Sequence, residues 1–327
     1  MPDTEPVPGP PAPAVPPVPP VPTALAAPAA TGAPARADDV IHDIGFRHYD
    51  GTRNGRGWVV RSLLVETVRG VFGLGRPARS KVMPWALIGI LLVPPVIIAL
   101  SILLTHSTEP PISYTQYPGA MQLVVVLFVA GAAPYCVSRD LRHGVMPLYL
   151  SRPMKRSDYA LAKFAGLAIS LFAVLALSET LLLVGALLAK LSVGHQLAGW
   201  AGGVLTVALL ALVLSGISLV VAAFTPRRGL GVAAIVTGLL MVSGIVQMLV
   251  SIAEQKGYAT LASYLPALNP FSLVDGIAVR LLGVAPTDNA TYPAGAPGLL
   301  AFTAVTIVTI GASLAVLVRR YRKGGGV

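Results

Sequence analysis

The chain has 327 residues, of which 54% are hydrophobic and 12% charged, about half the roughly 25% charge usual in soluble domains. That composition excludes an ordinary soluble globule, and the single cysteine, Cys136, excludes both an internal disulfide framework and a cysteine-rich metal site. The net charge of +10 fits nucleic acid, an anionic membrane surface or topology signals beside membrane spans, and position along the chain decides among them.

Residues 1–35 hold 13 of the 29 prolines and 9 alanines, with no Lys or Arg. Such a segment cannot build a core. It also has neither the basic start nor the unbroken apolar stretch of a secretory signal, so a cytoplasmic amino terminus is expected. Between Trp58 and Gly75, the residues Val60, Leu63, Leu64, Val68 and Val71 recur on one helical face, with Ser62, Glu66 and Arg69 opposite. This is the period of an amphipathic helix lying in the membrane interface, and Arg76, Arg79 and Lys81 beyond it suit anionic headgroups; a helix packed on protein has the same period.

Six apolar stretches follow, at Pro84–Leu104, Gly119–Val137, Phe164–Leu188, Gly199–Phe224, Leu230–Ile252 and Gly298–Val318. Each is long enough for the roughly 20 helical residues needed to cross the hydrocarbon layer. With the amino terminus inside, 21 basic residues fall on the inner side, leaving Lys190, Lys256 and Arg280 outside, a strong orientation signal. The charge is thereby explained without nucleic acid, since no basic cluster is interleaved with stacking aromatics. Ala162, Gly166 and Ser170 form a small-residue row that lets the third span approach a neighbour closely.

The predicted fold is all-α: a polytopic integral membrane protein with six transmembrane helices, preceded by an interfacial amphipathic helix and a disordered proline-rich tail. The divisions are a tail at 1–40, a cytoplasmic and interfacial segment at 41–83, a permease domain at 84–318 and a basic tail at 319–327. Within the permease domain, an inner loop at 138–163 and an outer segment at 253–297 connect spans. The outer segment is amphipathic around Phe271–Leu282 and is suited to lie on the outer interface or dip back into the bundle.

No G-x-x-x-x-G-K-[ST] loop, G-x-S-x-G elbow or H-E-x-x-H pair occurs, and the five histidines are scattered. Enzyme chemistry and a metal site are therefore not expected in this sequence. The one acid well inside a span is Glu179. It must face the bundle or stay protonated, because an ionised acid at mid-membrane costs roughly 2.5–3.5 kcal/mol. A place on a substrate path, an ion site and a neutral carboxyl bonded to a neighbouring helix all remain open for it.

In the inner loop, Pro147 and Pro153 bracket a short helix or turn. Leu148, Tyr149 and Leu150 form an apolar knob beside Arg152, Lys155 and Arg156, suited either to a groove with an acidic rim on a partner or to headgroups. The series Asp140, Gly144, Leu148, Leu150, Pro153, Arg156 and Lys163 resembles the loop of type-two ATP-binding-cassette (ABC) export permeases, with departures at Val145, Pro147 and Lys155. Leu-Asn-Pro-Phe at 268–271 resembles the family's outer segment.

The resemblance implies a permease that exports a hydrophobic or amphipathic substrate, and a separate ABC-type ATPase subunit that binds ATP and Mg while this chain binds neither. It implies a second permease subunit and a coupling surface at Asp140, Gly144, Leu148, Tyr149, Leu150, Arg152, Pro153 and Arg156. The expected location is the cell membrane, in contact with lipid, with both termini cytoplasmic. An ion-coupled secondary transporter working through Glu179 is the alternative, and a membrane scaffold using the proline-rich tail is a third class.

Overall fold

The computed structural model describes residue 51 and residues 54–75, 77–105, 110–142, 149, 153–225, 227–287 and 290–323. The proline-rich tail lies outside them. Every regular element among the described residues is helical: α1 (Arg56–Val71), α2 (Ala78–Thr105), α3 (Tyr117–Ala120), α4 (Gln122–Arg142), α5 (Arg156–Leu188), α6 (Val193–Phe224), α7 (Arg228–Gln255), α8 (Ala259–Tyr264), a 3₁₀ turn (Leu265–Leu268), α9 (Pro270–Leu282) and α10 (Gly295–Lys323).

Five of these, α2, α5, α6, α7 and α10, are long and apolar enough to cross a membrane. The second expected span is α4, whose apolar part, Gln122–Val137, is about 24 Å long at 1.5 Å per residue and so is short for the roughly 30 Å hydrocarbon layer. The chain breaks at Met121, between α3 and α4. The region at 253–297 turns back on itself, its two helical parts meeting at 117°. Asn269 makes that corner: its side-chain oxygen accepts the Phe271 N–H at 3.2 Å while Pro270 opens α9, and Gly283, at φ +67°, ends the helix.

The centre of the bundle is α5 and α6. In each, 56% of the most apolar window is buried, against 28% in α2 and 22% in α7 and α10, so the outer three present most of their apolar surface outward. Close approach depends on small residues. Ala162, Gly166 and Ser170 are all buried, and a Cβ on Gly166 would stand 2.7 Å from the Thr67 side chain of α1. Gly185 likewise lies directly on Ala99 of α2.

The neighbour that the small-residue row admits is thus α1. The face of α1 expected to be apolar is indeed its inner one, with Val59, Leu63, Thr67 and Val71 buried and Ser62, Glu66 and Arg69 exposed. That face packs on α5 and α4, while Trp58 and Val65 of the same helix are exposed. The turn into α2 uses Gly73, at φ +68°, where a Cβ would also meet the Ser80 carbonyl at 3.0 Å. The Trp85 indole N–H donates to the Phe72 carbonyl at 3.2 Å, closing the same turn.

Candidate coupling face

The ends of α4 and α5 that carry the 138–163 loop are joined by charge and hydroxyl contacts at the edge of the apolar core. Asp140, in the last turn of α4, accepts the Tyr159 hydroxyl at 2.6 Å and pairs with the Lys163 ammonium at 3.0 Å. The side chains of Lys163 and Asp140 are only 10% and 13% exposed, so removing one partner costs more than at the surface. The Lys163 ammonium also stands 5.4 Å from the centre of the Tyr159 ring, within cation–π range.

Around this pair the start of α5 gathers its neighbours. Asp158 receives both the Nε and the Nη2 of Arg56, at 2.7 and 2.6 Å, a bidentate link to the first residue of α1. That carboxylate holds the Arg56 guanidinium above its ordinary pKa, and it accepts the Lys155 backbone N–H at 3.0 Å, capping α5. Tyr159 packs edge-on against Tyr321 of α10 with centroids 5.0 Å apart. The Arg156 guanidinium donates to the Arg322 carbonyl at 2.6 Å. Four helices, α1, α4, α5 and α10, are thereby tied at one end of the bundle.

Tyr149 is half-buried, its ring 5.6 Å from that of Tyr159. It belongs to this base rather than to a freely projecting knob. Pro153 is exposed and Met154 beside it is buried. Gly144, Leu148, Leu150 and Arg152 lie outside the described residues.

Glu179 sits in the last third of α5 and is fully buried, and neither carboxyl oxygen has a hydrogen-bond partner among the described residues. Gly203 of α6 makes room for it: a Cβ there would come within 2.9 Å of Glu179 Oε2 and 2.8 Å of Tyr114 Cβ. The adjacent hydroxyls are engaged elsewhere, Tyr114 with Gln196 at 2.8 Å and Tyr117 with the Leu91 carbonyl.

At the far end a cavity of about 410 Å³ opens between α4, α6, α7 and α9. Its polar wall is uncharged where Gln122 and Asn269 donate to the Ser243 hydroxyl at 2.7 and 2.9 Å. Asp275 fixes the segment beyond α9, accepting the Thr287 N–H at 3.0 Å, the Thr287 hydroxyl at 2.9 Å and the Tyr292 hydroxyl at 2.7 Å. Among the described residues no group of His, Cys, Asp and Glu is placed to hold a metal ion.

Compared with known proteins, residues 49–322 match the model of the family described as ABC-2 family transporter protein. The chain belongs to the ABC-2 transporter family. No curated protein matched the sequence. The family match covers the whole helical bundle, so the chain is a multi-pass membrane permease of an ABC transporter, a class of subunit that works with an ATPase.

Of the residues that the resemblance marks, the structure brings Asp140 and Lys163 into direct contact and puts Arg156 on the carboxyl-terminal helix. The partners Arg56, Tyr321 and Arg322 were not singled out by the sequence. They lie in basic stretches that carry a topology signal, and nothing in that signal distinguishes one arginine from the next. The outer polar cavity was also missed, because its walls come from separate stretches of chain with no shared period.

Proposed function

We propose that this permease exports a hydrophobic or amphipathic substrate, powered by ATP hydrolysed on a separate ABC-type ATPase that docks at the loop between α4 and α5. The loop and both termini lie in the cytoplasm, as the basic bias favours, and two permease subunits work with two ATPases in the cell membrane. The ATP and Mg belong to the partner.

The observation that carries this reading is the base of the loop. A partner that moves the loop pulls on α4 and α5 together through Asp140, Tyr159 and Lys163. The pull reaches α1 through Asp158 and Arg56, and α10 through Tyr159 and Tyr321. Coupling needs such a unit, because a displacement at one site biases another only through elements that move as a body. The outer cavity, with amide and hydroxyl groups and the carboxylates of Glu254 and Asp275 beside apolar walls, suits the polar part of an amphipathic molecule leaving the bundle.

A second reading, transport coupled to an ion gradient through Glu179, draws on the two unpartnered carboxyl oxygens. Glu179→Gln separates the two in vesicles supplied with either ATP and the ATPase or an imposed proton gradient. Under the exporter reading, ATP-driven transport persists in the Gln variant and the gradient alone drives nothing. Gradient-driven transport in the wild type that disappears in the Gln variant would overturn it.

A further inference from the structure

Where α1 turns into α2, on the same side of the bundle as the coupling face, a recess of about 250 Å³ opens between α2, α4 and the start of α7. Among the described residues two arginines line it, Arg79 and Arg228, and no Asp or Glu does. Both are exposed, and neither forms an ion pair among the described residues. Each stands in the first turn of a helix, Arg79 in α2 and Arg228 in α7, so the helix dipoles add to the positive potential.

Below the arginines the wall is apolar, formed by Met83, Leu87 and Phe128. Gly131 leaves that floor open, since a Cβ there would stand 2.8 Å from Met83 Cε. A second recess of about 840 Å³ adjoins the first at Gly70 and Tyr135 and adds Arg61 and Arg69 with one acid, Glu66. Alongside, Val82, Met83 and Trp85 present 65%, 43% and 52% of their surface outward, which places the opening at an apolar surrounding.

We propose that this recess binds an anionic phospholipid of the leaflet on the coupling side, with its phosphate between Arg79 and Arg228 and its glycerol and first acyl carbons over Met83, Leu87 and Phe128. The charge of the mouth selects an anion, and basic pockets between spans are where lipid headgroups are held. The apolar floor selects a lipid over free phosphate. At about 250 Å³ the recess falls below the roughly 300–1,000 Å³ of sites that enclose a whole small molecule, so it takes a headgroup and lets the chains run out along α2. A lipid there would join α2 and α4 to α7, one of the helices least buried in the bundle.

The test uses the purified full-length chain, exchanged into detergent with dioleoyl phosphatidylglycerol or dioleoyl phosphatidylcholine, and counts retained lipid by native mass spectrometry. The wild type is expected to retain the anionic lipid and Arg79→Gln/Arg228→Gln to lose it by about 10- to 30-fold, near the effect of two basic groups at a surface. Arg319→Gln/Arg322→Gln, removing equal charge from the same side, is expected to change retention by less than about three-fold. Gly131→Val keeps both guanidiniums and fills the floor, and it too is expected to lose the lipid.

Equal retention of the two lipids by the wild type, equal losses in the two double variants, or full retention by Gly131→Val would overturn the proposal. Displacement of phosphatidylglycerol by an equal concentration of glycerol 1-phosphate would overturn it as well, since the site would then read phosphate alone. Size-exclusion profiles confirm that each variant is folded, which the exposure of both arginines leads one to expect.

Discussion

Lys163→Met removes the cation from the pair that joins α4 to α5, and the structure bounds what this costs. Losing one partner of a fully buried pair costs about 3–5 kcal/mol, whereas an exposed pair is worth about 0–1 kcal/mol. Asp140 is 13% exposed and keeps the Tyr159 hydroxyl at 2.6 Å, so an intermediate loss of about 2–3 kcal/mol is expected from those two limits.

Asp140→Asn is milder, about 1–2 kcal/mol, because the amide oxygen still accepts from Tyr159 and the ammonium keeps its place over the tyrosine ring. The double variant D140N/K163M carries neither charge and is expected to lose less than the sum of the two by about 1–2 kcal/mol. Thermal unfolding of the purified permease in detergent reads this, with Lys163→Met lowering Tm by about 3–4 °C in a chain of this size. Losses that add within about 0.5 kcal/mol would refute the pairing and, with it, the claim that this contact holds the base of the loop.

Gly276→Ala is expected to destabilise the outer end by about 1–3 kcal/mol, as overpacking does. The new Cβ would come 2.5 Å from Phe302 Cε1, in a ring that is itself held edge-on by Tyr292, and a lowered Tm checks it. Leu148→Asp should leave Tm unchanged and reduce co-purification of the ATPase, whereas Tyr149→Ala, which strips a ring from Tyr159, should lower Tm as well. Deleting residues 2–35, which are rich in proline and poor in large apolar side chains, should leave export at matched expression nearly intact.

Apolar run length made the spans legible, since stretches of about 20 residues such as Pro84–Leu104 and Phe164–Leu188 have no other stable home. Helix ends were less so. α5 begins at Arg156 and α10 runs on to Lys323, because charged first and last turns continue a helix beyond the hydrocarbon without any apolar signal. The corner at Asn269 and Pro270 is made by an N-cap followed by proline at the first helical position, whereas in the sequence Leu-Asn-Pro-Phe was legible only as a family resemblance. The bond set of Asp275 had no signal, because Thr287 and Tyr292 lie in an aperiodic stretch.

Partner identity was the other gap. The period of α1 marks which face is apolar, and lipid and protein satisfy that face equally; only the small row on α5 hinted that a helix comes close there. The pairing of Arg56 with Asp158 and of Tyr159 with Tyr321 joins residues far apart in the chain, and composition has no register for such contacts. Glu179 was visible as an anomaly in its span, while the absence of a partner for its oxygens required the positions of Tyr114, Tyr117 and Gly203.

The claim that this chain works through a separate ATPase is tested most directly by purifying it from its native membranes and identifying what accompanies it. The account predicts a P-loop ATPase in equal stoichiometry, and substrate export by the reconstituted complex that stops when ATP is withheld. A chain that purifies alone and moves substrate on an imposed ion gradient would contradict it.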